Sequence, residues 1–263
     1  MSTLPTETVL VTGASSGIGL ELAKCFAADK SRLVLVARNT AALESLAAEL
    51  RREHQIPVIV ITADLAQPES PRRIFNELAG QGITVDLLVN NAGFGLHGGF
   101  VELSLERQLE IIQVNIAALT ALTGLFLPGL LQRRRGGILN VGSVAGFVPG
   151  PDMAVYFASK AFVQSFSEAL YEELRGTGVT VSVLCPGTTE SNFGEVARGG
   201  KKRLRQTAKM KAADVARLGH AGFRAQKAVQ VTGARNQLFV FLSRHLPRNI
   251  PRRVIKYYNR TAP

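Results

Sequence analysis

The chain has 263 residues, 46% of them hydrophobic and 19% charged, with 25 Gly and 11 Pro. That length suits one large α/β domain or two small ones, and the apolar share excludes a mainly disordered chain. The formal net charge of +11 belongs to the C-terminal quarter, where residues 196–263 hold 17 Lys/Arg and one acid, Asp214; such a block fits either an acidic partner or a solvated surface.

After the polar start Met1–Glu7, Thr8–Thr12 (TVLVT) reads as a strand that stops at Gly13. Gly17–Asp29 has helical spacing, Arg32–Ala37 is a second strand, and Ala41–Glu53 is a helix with Leu43, Leu46 and Leu50 on one side. Val58–Ile61 is a third strand, Pro71–Gly80 a helix, Val85–Val89 a fourth strand, and Leu105–Leu131 one or two long helices. Ile111–Gln132 carries no formal charge, but Gln113, Asn115, its threonines and Pro128 make it a poor membrane span, so a buried helix is expected. Gly137–Val141 is a fifth strand, Met153–Arg175 a long helix and Val179–Leu184 a sixth strand.

Continuous aliphatic strands alternating with helices predict a parallel sheet covered on both faces. Right-handed crossovers make it doubly wound. Ser191–Lys211 reads as a mobile flap with a short helix, Ala212–Ala225 as a helix and Val229–Thr232 as a short strand. Asn236–Tyr258 is apolar and basic, broken by Pro247 and Pro251. The expected organisation is one domain over 1–235, with a flap at about 190–211, and a basic amphipathic extension over 236–263. Cys25 and Cys185 lie far apart, and His54, His97, His220 and His245 are scattered, so neither a disulfide framework nor a metal site is expected.

The first strand runs into Thr12-Gly13-Ala14-Ser15-Ser16-Gly17-Ile18-Gly19, which opens the first helix. Gly13 permits a sharp turn, Gly17 a close approach to phosphate, and Gly19 tight packing of helix on strand. The helix start then offers free N–H groups to a pyrophosphate. Gly13, Ser15, Ser16, Gly17, Ile18 and Gly19 are therefore the candidate cradle. An NAD site wants a carboxylate at the end of the second strand, to hold the ribose 2′-OH. Here stand Ala37-Arg38-Asn39. A guanidinium suits a 2′-phosphate, which favours NADP(H), although Arg38 as a plain surface charge is the alternative.

Taken together, TGASSGIG at 12–19, Asp64-Leu65, NNAG at 90–93, Asn115, Ser143, Tyr156-Phe157-Ala158-Ser159-Lys160 and Pro186-Gly187 resemble the short-chain dehydrogenase/reductase family, in its NADP(H)-using branch. The resemblance spans roughly the first 190 residues and implies a single Rossmann-type domain. It places Asn91, Ala92 and Gly93 along the adenosine side of the cofactor, with Asn91 also bracing the central strands. It puts Asp64 and Leu65 at the adenine, where Asp64 would bond the amino group. Pro186 and Gly187 fall at the nicotinamide end. The family commonly has Thr five residues after that proline; here the place is Ser191, with Thr188 and Thr189 as alternative donors to the carboxamide. The family commonly pairs two helices across a dimer axis, which implies a homodimer through Ile116–Leu131 and Met153–Leu174, the tail being an obstacle.

The residues themselves carry the proposed chemistry. Tyr156 and Lys160, four apart on a helix, share a face. A nearby lysine cation favours phenolate, so Tyr156 is expected to act as general acid or base near neutral pH. Ser143, just after the fifth strand, can bond a carbonyl oxygen as charge develops. By resemblance Asn115 holds a water that links to the lysine; a satisfied buried amide is the other reading. Together Asn115, Ser143, Tyr156 and Lys160 form the catalytic set. The expected activity is NADPH-dependent interconversion of a hydrophobic carbonyl compound and its secondary alcohol. A catalytically idle nucleotide-binding adaptor, docking through the basic tail, is the second hypothesis.

Loops after strands four to six offer Phe94, Leu96, His97, Val144, Phe147, Val148, Pro149, Met153, Thr188 and Phe193 as a mostly apolar pocket, with His97 at the rim. Arg198–Lys211 holds seven Lys/Arg, for an anionic head group or simply for solvent. The tail combines Leu238–Leu242 and Leu246 with Arg248, Arg252, Arg253, Lys256, Tyr257 and Tyr258. Three uses stand open for it: an anionic membrane surface, closure of the pocket, or a second subunit. No interleaved aromatic platform supports nucleic-acid binding. With no secretory signal read at the N-terminus, a cytoplasmic and at most membrane-peripheral location is the expectation.

Overall fold

Val9 and Val11 turn to one side of the first strand and Leu10 to the other, and all three are fully buried. Burial on both faces is why this strand is an unbroken aliphatic run. The computed structural model describes residues 7–190 and 209–259. In it β1 (Thr8–Thr12), α1 (Gly17–Ala28), β2 (Arg32–Ala37), α2 (Thr40–His54), β3 (Val58–Thr62), α3 (Ser70–Gly80) and β4 (Leu87–Asn90) follow in chain order. Next come α4 (Leu105–Ile112), a π-helical turn (Gln113–Ala118) and α5 (Leu119–Arg133), in one continuous run. β5 (Gly137–Val141), α6 (Ala154–Glu173) and β6 (Thr180–Cys185) lead to β7 (Thr189–Glu190). The described chain ends with β8 (Met210–Lys211), α7 (Ala212–Arg224), β9 (Val229–Val231), α8 (Ala234–His245) and α9 (Asn249–Asn259).

Seven strands form one parallel sheet in the order β3-β2-β1-β4-β5-β6-β9, and β7 pairs with β8 apart from it. α1, α2 and α7 cover one face, through Leu22, Phe26, Leu43, Leu50 and Phe223. α3 and α5 cover the other, through Ile74, Leu78, Leu122, Phe126 and Leu130. The doubly wound α/β expectation is met. Strand order reverses between β1 and β4, so a crevice opens beyond their carboxyl ends.

Two local differences have physical reasons. β4 begins at Leu87, not Val85, because the Asp86 carboxylate accepts the Thr8 N–H at 3.0 Å and so starts the pairing. Pro251 does not break the tail: it is the third residue of α9, where its missing N–H has no intrahelical partner to lose. The run Leu105–Arg133 is long and apolar enough to cross a membrane, with mean hydropathy 1.8, yet Ile111, Ala118, Leu122, Phe126 and Leu130 are buried within the fold. The boundary expected between 235 and 236 falls inside α8. Of the expected flap, residues 191–208 lie outside the described residues, and Met210–Lys211 form β8.

Candidate active site

The site begins where β1 meets α1. The Thr12 hydroxyl accepts the Asn91 and Ala92 N–H groups at 3.0 and 3.1 Å and donates to Val89 O at 3.2 Å. Asn91 Nδ2 donates to Thr12 O at 2.9 Å and Gly13 O at 3.2 Å. The turn after β4 is thereby fixed to the glycine turn. Gly13 has φ +66°, and a Cβ there would stand 2.8 Å from Asn91 Nδ2 and 2.9 Å from the Ala92 Cα, so the position requires glycine. Gly19 is pressed against the Gly13 carbonyl and the Asn91 side chain. The Ser16 N-cap makes no side-chain hydrogen bond, which leaves the first N–H groups of α1 without a side-chain cap.

From this turn a cleft of about 1380 Å³ runs along the carboxyl ends of the strands. Gly13, Ser15, Ser16, Gly17, Ile18, Arg38, Asp64, Leu65, Asn91, Ala92 and Gly93 line one part. Ser143, Tyr156, Lys160, Pro186, Gly187 and Thr188 line the other. Asn115 and Gly19 stand behind the wall, and Ser191 lies outside the described residues. Arg38 is exposed at the edge and pairs with no carboxylate among the described residues. The group a dinucleotide needs is therefore present at each stage: an uncapped helix start, a cradle that a Cβ would fill, and a free guanidinium at its far side.

Ser143 is held in place at the end of β5. Its Oγ accepts the Ala145 N–H at 3.1 Å and donates to Pro186 O at 3.4 Å. It also hydrogen-bonds the Tyr156 phenol. Burial pushes Tyr156 up to about 12, with the Ser143 bond pulling the other way. Burial pushes Lys160 down to about 8. Burial thus raises the phenol, where the lysine was expected to loosen its proton. The Lys160 ammonium donates to Val141 O at 2.8 Å and stands 6.0 Å from the Tyr156 ring centre.

Asn115 sits inside the π-helical turn, and π turns often mark functional sites. Its Oδ1 accepts the Phe94 N–H at 3.1 Å, and its Nδ2 donates to Phe94 O at 3.0 Å and Ser159 Oγ at 2.9 Å. Ser159 Oγ donates in turn to Tyr156 O at 2.7 Å. Sequence reasoning passed over Ser159; its signal was a hydroxyl one residue before Lys160, on the helix face of Tyr156.

The far end of the cleft is apolar. Of the expected lining, Phe94, Val144, Val148, Met153 and Thr188 are there, Leu96 lines a small separate cavity, and Phe193 lies outside the described residues. His97, expected at the rim, is buried, with Nε2 against Asn259 O. Asn259 Nδ2 donates to Pro151 O at 2.7 Å. Phe239 and Ile255 pack beside Tyr156 and Phe157. Phe239, Val254, Ile255, Tyr258 and Asn259 all line the cleft. The tail is thus a roof over the site, one of the three uses left open for it.

Fold and site together define a dinucleotide-binding α/β domain with a serine, tyrosine and lysine cluster at its crevice. A family model for short chain dehydrogenase matches residues 7–201, and the chain belongs to that family. A very-long-chain 3-oxoacyl-CoA reductase from Laccaria bicolor is 38% identical over 66% of this chain and 52% of its own length. An NADP-dependent 3-hydroxy acid dehydrogenase from Schizosaccharomyces pombe is 32% identical over 77% of this chain and 79% of its own. A short-chain dehydrogenase from Sphingobium yanoikuyae, solved in complex with NADPH, is 35% identical with a TM-score of 0.81, over 92% of this chain and 94% of that one. The chain therefore spans only about half the length of the first of these relatives.

Proposed function

We propose that this protein is an NADP(H)-dependent oxidoreductase that interconverts a hydrophobic carbonyl compound and its secondary alcohol. One observation carries the reading: the bonded hydroxyls of Ser143 and Tyr156 lie in a single cleft with the glycine turn. Family membership and the NADPH complex of a similar structure support it.

The residues divide the work. Gly13, Ser15, Ser16, Gly17 and Ile18 would hold the pyrophosphate at the start of α1, and Arg38 the 2′-phosphate. Asp64, Leu65 and Asn91–Gly93 would take the adenosine end, and Pro186, Gly187 and Thr188 the nicotinamide end. A bound nicotinamide supplies or accepts the hydride. Ser143 and Tyr156 together offer two donors to one substrate oxygen. With its pKa pushed up to about 12, Tyr156 keeps its proton at neutral pH and gives it only to a stronger base, a developing alkoxide. Lys160, at about 8 the stronger acid, can return that proton to the phenolate. Phe94, Val148, Met153, Phe239 and Ile255 bring an apolar substrate to this point and exclude water.

The test is NADPH consumption over steroid, retinoid, quinone and acyl-chain carbonyls, with Tyr156→Phe as the blank. A wild-type rate that disappears in the blank is expected. Activity that survives Tyr156→Phe would remove Tyr156 from the mechanism. A chain that binds NADPH and turns over nothing would return the idle adaptor.

A further inference from the structure

We propose that the outer face of the α8–α9 roof docks this protein on an anionic bilayer, with the mouth of the cleft toward the lipid. The docking stands on its own observations. Only its consequence, that a hydrophobic substrate enters from the bilayer, rests on the oxidoreductase reading.

Eight of the fifteen exposed large apolar side chains among the described residues lie between Leu238 and Tyr258. Their spacing is helical: Leu238, Phe241 and Leu242 on α8, and Ile250, Val254, Tyr257 and Tyr258 on α9. On α8 the opposite side and on α9 the adjoining side are spent on the protein, since Val240, Pro251 and Asn259 are buried and Phe239 and Ile255 are packed over the site. A roof with one apolar face inward and another outward needs something beyond the fold to cover the second.

The charge says what that cover is. Arg235, Arg244, Arg248, Arg252, Arg253 and Lys256 are all exposed, and none is in an ion pair with a carboxylate among the described residues. No acid follows Asp214 in the sequence. Apolar stripes flanked by unneutralised cations fit an interface of anionic headgroups over acyl chains. A second copy of the chain fits worse, because a two-fold contact would set the same cationic patch against itself. Val254 and Tyr258 belong both to the exposed patch and to the lining of the cleft, so the apolar surface continues from outside to inside.

The experiment is co-sedimentation of the full chain with vesicles of phosphatidylcholine alone, and with phosphatidylglycerol added, at low and high salt. Three proteins are compared: wild type, a charge variant carrying Arg248→Gln, Arg252→Gln, Arg253→Gln and Lys256→Gln, and an apolar variant carrying Phe241→Ser and Tyr257→Ser. Wild type should pellet with the anionic vesicles at low salt and at least about tenfold less at high salt or with the charge variant. The apolar variant should be weakened too, most visibly at high salt, where charge contributes little. NADPH binding by both variants checks that the fold is intact. Absence of wild-type binding to anionic vesicles would overturn the proposal, and so would binding that ignores both variants. A wild-type dimer that the apolar variant dissociates, with no vesicle binding, would assign the face to a second copy instead. Tyr156→Phe should sediment as wild type does, which separates failure of the docking from failure of the chemistry.

Discussion

Asn115 Nδ2 reaches Ser159 Oγ at 2.9 Å and so fastens the π-helical turn to the first two turns of α6, where Tyr156 and Lys160 stand. The bond holds two elements 44 residues apart in the geometry the phenol needs. Asn115→Leu keeps the volume and removes every polar contact. The Phe94 N–H loses its acceptor, and one such loss in a buried site costs about 1–3 kcal/mol. Turnover should fall at least about tenfold with little change in NADPH affinity, because Asn115 is not in the wall of the cleft. Stopped-flow turnover and cofactor titration on one preparation check this. Unchanged turnover would reduce Asn115 to an ordinary satisfied amide.

Much of this arrangement was legible because it is local. β1, β2 and β5 match their expected limits, since a fully buried strand is a plain aliphatic run. The glycine turn and the Tyr156–Lys160 pair are short motifs whose spacing carries their geometry. What escaped depends on distant packing or on energy. Phe239, Ile255 and Tyr258 come back over the cleft from the far end of the chain, and no periodicity marks that return. His97 is buried against Asn259, which arrives from the far end of the chain. The π turn adds its irregularity inside an unbroken helical pattern. The contest between burial and the Ser143 hydrogen bond at Tyr156 is a matter of depth, which residue identity does not record.

Arg38 faces the cleft as a cation without a carboxylate partner among the described residues. Arg38→Asp should invert the cofactor preference, through loss of a charge-assisted bond to the 2′-phosphate and gain of a carboxylate suited to the ribose hydroxyls. Affinity for NADPH is expected to drop about tenfold or more, since one such bond is worth about 1.5–3 kcal/mol. Fluorescence titrations with NADPH and NADH measure both affinities. An unaltered ratio between them would make Arg38 a mere surface charge.

Lys160 titrates at about 8 in the folded protein against 10.5 for an ordinary lysine. Between those values the unfolded chain holds more protons, so this group adds stability as pH rises and withdraws it as pH falls through 8. Lys160→Met lacks the effect. Its stability relative to wild type should therefore fall by about 3 kcal/mol between pH 7 and pH 10.5, with Cys185 the titratable group that acts on Lys160. Urea melts of both proteins across that range, without cofactor, read the difference directly. A constant difference would mean that the ammonium is solvated in the folded state.

Leu109 and Ile112 on α4 and Phe162 on α6 are exposed, and Phe162 stacks on Phe166 with ring centres 5.6 Å apart. These apolar groups lie on two helices that touch each other. A homodimer through Ile116–Leu131 and Met153–Leu174 is the expectation, and Phe162→Glu, inside the second segment, should convert it to a monomer by burying an unpaired charge. Sedimentation at the mass of one 28.3 kDa chain for wild type, at every concentration tried, would rule the pairing out.

His97 and Asn259 join the loop after β4 to the last helical residue of the roof, across 162 positions of sequence. Asn259 adds a second tie to Pro151, so two polar bonds hold α9 down over the apolar end of the cleft. His97→Ala removes one tie and leaves a space beneath the helix end. The cost should be about 1–3 kcal/mol in the roof itself, because a buried carbonyl is left without its partner. The sheet and the glycine turn do not depend on that bond, so NADPH affinity should stay within about twofold. A loosened roof covers substrate less well, so KM for a long hydrophobic carbonyl should rise several-fold while that for a small ketone stays nearly level. Hydrogen exchange of the α9 amides, compared between wild type and His97→Ala, reports the loosening independently of turnover. Equal exchange in the two proteins, with both KM values unmoved, would show that the apolar packing of Ile255 alone keeps the roof closed.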